Sequence, residues 1–495
     1  MGGDLRMRTV TTVSGKQAVQ VVRYAGKKRE ILTHLGSAAT DDEHNVLEAA
    51  VGRYIEEHRA QQALFKTARR LVDLDRVQLV NVTDCFARGV LARCAEACGL
   101  AFLHPRYLDL AFMRLIEPSS KLRAIELIDR HWGLRYAERT VYRLLKKLIE
   151  QKRDIERAAS ALAAGSCAVL LYDVTTLYFE SHEPDDNLRT RGFSKDNKSQ
   201  QPQITVGLLV SPDGTPLRHD VWKGNTFEGK TMLPTLEAYG AELGEKPIIV
   251  AEAAMLSREN SKKLEDEGWS YIVGARLGNL PPVLAERIGR EVPREDGARR
   301  RFPTDRGDLI VSFSTARHKK DVGDLERQWK RAEALVAKAE PGRRAKFVCK
   351  EGGRYALDED LKRKAEALAG LKGYHTNIPE TTLASTQVIE RYRNLWRVES
   401  SFRMAKSDLA TRPIFHHAED AVRSHVLLCF VGLVLLSHLE RQTGLSARQL
   451  RDILWDVSEA HLFDALTGET HVLRSSLDEY RASRIYTLLG EPETH

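Results

Sequence analysis

The chain's 495 residues exceed what one compact core holds and point to several domains. A hydrophobic share of 42% beside 29% charged residues excludes wholesale disorder, and a net charge of +7 favours a polyanionic partner only weakly. The longest apolar run, Val426 to Leu436, falls well short of the roughly 20 residues a membrane helix needs, which argues for a buried core helix and no membrane partner.

Residues near 7 to 35 alternate as short strands, with turns at SGK and AGKK, and a helix follows from about Asp41 to Glu57, so residues 1–62 read as a small α/β module. From 63 to 165 the apolar spacing is helical, which defines a helical region with a helix-turn-helix-like segment. There Ser119 or Ser120 caps KLRAIELIDRHW, Gly133 ends it, and ERTVYRLLKKLIE begins near Glu138. The second helix presents Arg139, Arg143, Lys146 and Lys147 on one face. That face is either a DNA-reading surface or the solvated side of a bundle helix.

The period then changes from helix to strand. Residues 167–179 form an apolar strand carrying Asp173, and Gln203–Val210 with Leu217–Trp222 form a hairpin around Pro212-Asp213-Gly214. A helix from about Thr231 to Leu243, a strand Pro247–Glu252, a helix Ser257–Glu267 and a strand Ser270–Arg276 complete the order β-β-β-α-β-α-β. This is the order of the ribonuclease-H-like α/β fold, with a mixed sheet. Residues 166–279 are thus the first part of a catalytic domain, 280–371 an insertion, and 372–495 the second part with C-terminal helices. Within the insertion, Arg299, Arg300, Arg301, Arg343, Arg344 and Lys346 are candidate phosphate contacts, against a solvated-face alternative for its charged helix.

Asp173 sits in VLLYDVTTLYF and Glu252 ends PIIVAE, both where the pattern predicts burial, and a buried carboxylate is costly unless paired or metal-bound. Tyr392, Glu399 and Lys406 are spaced seven and seven, which puts them along one face of a continuous helix, beside an apolar stripe of Leu395, Val398 and Phe402. Three acids supply hard oxygen donors that suit two Mg²⁺ or Mn²⁺ ions in phosphodiester chemistry. A paired structural acid is the competing reading for each one alone, with Glu399 pairing to Arg403 at i+4. Trp329 and Trp396 are candidates for base stacking or for core, and His416 and His417 lack a third spaced ligand for zinc.

The stretches YDVTTLYFES, GFSKDNKSQQPQITVGLLVSPDGTPL, KGNTFEGKTMLPTLE, YHTNIPE and RNLWRVESSFRMAKSDLATRPIFHH together resemble the DDE transposases of bacterial insertion sequences, in the group with a Tyr-Arg-Glu-Lys signature. The resemblance implies Asp173, Glu252 and Glu399 as catalytic and metal-binding acids. It implies that Tyr392 and Lys406 position the phosphate beside the ions, with Arg393 or Arg397 standing in for the signature Arg; these and Arg403, with Arg139, Arg143 and Lys146 from the basic helix face, are the candidate DNA-binding residues. Two departures stand out: the family's second acid is usually Asp in ADAAM where this chain reads AEAAM, and the signature Arg position is Leu395. The implied activity is nicking at transposon ends by metal-activated water, then attack of the freed 3′-hydroxyl on target DNA. The partners implied are double-stranded terminal repeats and target DNA, held by a homodimer. Alternatives are a weakened or inactive DNA-binding derivative, and a nuclease that does not join strands. Six cysteines without CxxC spacing and a start lacking an apolar signal core lead us to expect a reducing cytoplasm, at the bacterial nucleoid when DNA-bound.

Overall fold

The computed structural model describes residues 4–25, 28–62, 77–163, 168–180, 183–184, 187–194, 198–240, 246–338, 346–351, 354–465 and 467–475. Arg343, Arg344 and Cys167 lie outside these. The chain forms two compact units, residues 1–78 with 463–471 and residues 79–462 with 472–495. In the first, β1 (Asp4–Thr11), β2 (Gln17–Ala25) and β3 (Lys28–Ala38) pair antiparallel in sequence order, and α1 (Asp41–Gln62) packs on them. Val19, Val21 and Val51 centre that core.

Of the residues 63–165 expected to be helical, 63–76 lie outside the described ones, and residues 77–83 correct the expectation. The run VQLVNVT forms β4 (Val77–Thr83), because four β-branched residues in seven, Val77, Val80, Val82 and Thr83, suit a pleated surface better than a helix. Helices α2 (Cys85–Ala97), α3 (Pro105–Ile116), α4 (Lys121–Trp132), α5 (Glu138–Leu148) and α6 (Lys152–Ala161) follow. Ser120 caps α4, its side chain accepting the Arg123 N–H at 3.1 Å. Gly133, with φ 67°, ends the helix in the left-handed conformation that glycine takes without strain.

A mixed sheet of eight strands forms the centre of the second unit. It contains β5 (Val169–Tyr178), β6 (Gln203–Val210), β7 (Pro216–Lys223), β8 (Ile248–Ala251) and β9 (Tyr271–Ala275), with α7 (Met232–Gly240) before β8 and α8 (Arg258–Asp266) after it. The spatial order β7-β6-β5-β8-β9 combines antiparallel β5–β6 and β6–β7 pairs with parallel β5–β8 and β8–β9 pairs. That topology is ribonuclease-H-like. The segment expected as an insertion extends the same sheet. After α9 (Pro282–Glu291), β10 (Arg299–Thr304) and β11 (Gly307–Phe313) line up beyond β14 (Leu371–Thr376), which pairs with β9. Between them lie α10 (Thr315–Lys338), the hairpin of β12 (Val348–Glu351) and β13 (Arg354–Leu357), and α11 (Glu359–Leu368).

The C-terminal part supplies α12 (Ser385–Arg393), α13 (Trp396–Arg403), α14 (Glu419–Thr443) and α15 (Ala447–Trp455), then β15 (Glu459–Asp464) and β16 (Thr470–Arg474), which join β4 in a small sheet. Helix α14 is long and apolar enough to cross a membrane, yet 89% of its apolar stretch is buried in the protein, so it is the core helix expected. Leu427, Leu428, Val431, Leu433 and Leu435 share one core with α2–α5, α12, α13 and one face of the sheet. Burial of such side chains contributes about 1.5–3 kcal/mol each.

Candidate active site

Asp173 lies mid-strand in β5 and is only 5% exposed. Its neighbours in register define the site. Tyr172 pairs with Ala251, the last residue of the parallel strand β8, so Asp173 and Glu252 come next in line, Asp173 still in β5 and Glu252 just past the end of β8, where it is half-buried rather than buried as expected. On the far side of β8, Ala251 pairs with Val273, which brings Gly274 of β9 into the same row, and Gly274 pairs with Tyr374 of β14. The row Asp173, Glu252, Gly274, Tyr374 faces the layer that holds α12 and α13.

Helix α13 docks on that face through Leu395, Val398 and Phe402, 4%, 0% and 8% exposed, as the apolar stripe predicted. Glu399 occupies its exposed side. The continuous helix expected from Tyr392 to Lys406 is corrected. At Asn394–Leu395 the ladder tightens to three-residue bonds, with Leu395 N–H to Tyr392 O at 3.1 Å and Val398 N–H to Leu395 O at 3.1 Å. Beyond Arg403 it widens into a π-turn over Met404–Asp408, where Leu409 N–H reaches Met404 O at 3.0 Å. The two changes of pitch break the seven-residue phase. Tyr392 belongs to α12, Glu399 to α13 and Lys406 to the π-turn.

Tyr392 reaches the acid row nonetheless. Its Oη lies 2.5 Å from where a Cβ on Gly274 would stand, and its ring packs edge-on against Tyr374 with centroids 4.9 Å apart. Burial, then the charges of Glu252, the Tyr374 phenol, Glu399 and Asp173, raise its pKa. The phenol therefore remains a hydrogen-bond donor at neutral pH, and all three acids act on this one side chain.

The predicted cations divide. Arg393 is exposed and close enough to act on the charges of Lys372 and Tyr374. Arg397 turns away, donating to Asp213 O at 3.3 Å in the β6–β7 turn, and Arg403 donates to Ser400 Oγ at 3.1 Å. Lys406, half-buried, lines a narrow 40 Å³ cavity beside Thr175, Leu208 and Phe402. Arg139, Arg143, Lys146 and Lys147 are all exposed on α5, and Lys146 lies 3.8 Å from Asp420. In β10, Arg299 is exposed, while Arg300 donates to Glu291 O at 3.2 Å and Arg301 pairs with Asp308 at 3.3 Å. Trp329 is core, 9% exposed, while Trp396 is 53% exposed. His416 stands 5.5 Å from His425, and no cluster of metal-ligating side chains gathers around the pair among the described residues.

Sequence reasoning missed two cations. Lys372 of β14 holds its Nζ 4.7 Å from the Tyr392 ring centroid, and Arg317 of α10 lies close enough to act on its charge. Strand alternation alone puts Lys372 on a face, but only the pairing of β14 with β9 brings it to the acids.

An all-carboxylate donor set suits a hard divalent ion. Among the described residues no three potential ligands already converge on one point. Asp173 lies in β5, Glu252 directly follows β8, and Glu399 is exposed on α13.

The sequence matches the family described as Transposase DDE domain over residues 168–435, from the start of β5 into α14. No curated protein matches the chain. Among solved structures, the chain matches a piggyBac transposase from a cryo-EM synaptic complex with hairpin DNA at 13% identity and a TM-score of 0.35, over 75% of this chain and 69% of that one. The family match takes in more than half of the sequence and every strand of the acid row, and the chain belongs to the DDE-domain transposases.

Proposed function

We propose that this protein binds the ends of a mobile element as double-stranded DNA, cleaves them in a metal-dependent reaction and transfers the freed 3′-hydroxyl into target DNA. The observation that carries this reading is the placement of Asp173 and Glu252 directly after the paired residues Tyr172 and Ala251, with Glu399 and Tyr392 brought over the same sheet face. Asp173, Glu252 and Glu399 would hold one or two Mg²⁺ or Mn²⁺ ions, which when bound supply charge neutralisation and an activated oxygen nucleophile. Tyr392 is a half-buried donor able to hold a phosphate oxygen at the row. Arg393 and Lys406 add positive charge on the flanks, and the basic face of α5 offers phosphate contacts for end recognition. In cleavage a water oxygen bonds to phosphorus as the P–O3′ bond breaks, leaving a 5′-phosphate and a 3′-hydroxyl. In transfer that hydroxyl oxygen replaces a 3′-oxygen at a target phosphodiester. Joining two ends at one target requires two such sites, which a homodimer provides.

The test is Mg²⁺- and Mn²⁺-dependent cleavage of a labelled duplex carrying the element's terminal repeats, with Asp173→Ala and Glu399→Ala beside the unmodified protein. We expect nicking by the unmodified protein and a loss of at least about a hundredfold in each variant, the scale of misplaced catalytic geometry. Binding without nicking by the unmodified protein would overturn the catalytic reading. It would favour instead a DNA-binding derivative, for which Glu252 and the unconverged acids are the specific grounds.

A further inference from the structure

A cavity of 660 Å³ opens from the acid row between the end of β9, α10, α11 and β14, and Tyr392, Gly274 and Ala253 form part of its wall. Five cations line it, Arg276, Arg317, Lys346, Lys364 and Lys372, against two carboxylates. Both carboxylates are engaged: Asp321 lies 3.5 Å from Arg317 and accepts the Gly370 N–H at 3.0 Å, and Asp324 contacts Arg327. Lys364 donates to Leu280 O at 2.7 Å, while Arg276 stands exposed at the end of β9. Lys372 is the innermost cation. It is half-buried, and Glu399 and Glu252 both act on its charge.

We propose that this cavity is a binding track for a single polynucleotide strand entering or leaving the acid row, with Lys372 gripping the phosphate next to the reacting one and Arg317 the phosphate beyond it. The proposal rests on the function argued above. A repeating polyanion answers three features: five cations against two engaged carboxylates in the wall, solvent-exposed cations at Arg276, Arg317 and Lys346, and, beside Lys372, the charges of Glu399 and Glu252, which repel an anion unless a cation lies between. Lys372 is placed to be that intervening cation. Leu395, the residue three positions after Tyr392, is 4% exposed and apolar, so α12 and α13 offer no inward-facing cation at that point. The positive charge beside Tyr392 comes from the other side, out of β14.

The experiment measures binding of a mixed-sequence fluorescent duplex with a single-stranded 3′ extension, in EDTA so that nothing is cut, across a salt series. Unmodified protein is compared with Lys372→Ala, Lys372→Arg, Arg317→Ala and a control, Lys262→Ala on the exposed side of α8. A lost phosphate contact lowers the slope of log K against log salt by about one. We expect that reduction in Lys372→Ala and Arg317→Ala, retention of the slope in Lys372→Arg, and no change in the control. The reduction should vanish when the extension is removed. Equal slopes for Lys372→Ala and unmodified protein, at equal melting temperature, overturn the proposal. So does tighter binding of free mononucleotide than of the extended duplex, or failure of the unmodified protein to bind DNA. Cleavage is scored separately with Mn²⁺. Protein that shows the slope differences but cuts nothing refutes the catalytic reading and leaves the strand track standing.

Discussion

Glu252 and Gly274 both belong to the acid row, and each sets a tolerance of about an atom's width. Glu reaches one methylene further than Asp, enough to shift a bound ion by about an ångström, and errors of that size cost on the order of a hundredfold in rate. Glu252→Asp is therefore expected to raise the nicking rate, by up to about that factor, in single-turnover assays. An unchanged rate would mean that the site accommodates the longer side chain. At Gly274 the constraint is steric. A methyl there meets the Tyr392 Oη at 2.5 Å and the ring carbon bearing it at 3.2 Å. Overpacking of this kind costs about 1–3 kcal/mol. We expect Gly274→Ala to lower both melting temperature and cleavage, and Gly274→Ala with Tyr392→Phe to recover melting temperature but not cleavage, because the clashing oxygen is gone together with the donor. Additive losses of stability in the double variant would sink this account. A single glycine in a strand gives a reader of the sequence no such warning, since its partner lies more than a hundred residues on.

Among the elements, the turn after α13 is where the helix-turn-helix-like segment meets the acid helix. Arg114 of α3 donates to Leu409 O at 2.8 Å and Ala410 O at 3.1 Å on one side and to Ser119 O at 2.7 Å on the other. It thereby holds Ala410 at φ 43°, a left-handed conformation rare for a residue with a Cβ. Beside it, His425 of α14 donates from Nε2 to Thr411 O at 3.0 Å, which leaves Nδ1 to accept from the Lys121 amine. Burial, then Arg114, push the Lys121 pKa well below its ordinary value. The unfolded chain therefore binds a proton that the folded one does not, between the depressed folded pKa and the ordinary lysine value, and stability rises with pH through that window. Lys121→Met removes the dependence, at the cost of one unsatisfied His425 nitrogen. Melting from pH 7 to pH 9.5 should show the unmodified protein gaining on the variant, by at most about 1.4 kcal/mol per pH unit. Parallel curves would mean that Lys121 is charged in the fold. Local signals made these elements readable: Ser120 and Gly133 bound α4, and the stripe of Leu395, Val398 and Phe402 places α13. The changes of pitch at Asn394–Leu395 and Met404–Asp408 were hidden, because tertiary packing and not intrinsic propensity sets them.

For the molecule as a whole, the ribonuclease-H-like order was legible because each strand from β5 to β9 carries its own apolar run and turn signals. The extension of the sheet by β14, β11 and β10 was not, because their pairing joins segments separated by long helices. The same non-local pairing hid Lys372 and Arg317 from a reading by motif.

Helix α14 closes the core beneath the sheet and the α2–α5 helices, yet it is among the last large elements to be made. Asp173 and Glu399 are about 225 residues apart, and at roughly 5–20 residues per second the ribosome takes on the order of 10–45 s to travel between them. By the end of that interval the apolar faces of α3, β5 and β6 have been made without the helix that covers them. The site cannot exist before the chain is nearly complete. The nascent protein thus lacks the assembled acid row and depends on protection from aggregation for most of its synthesis, and a message broken before the codons for α14 yields a second unit without its central core helix.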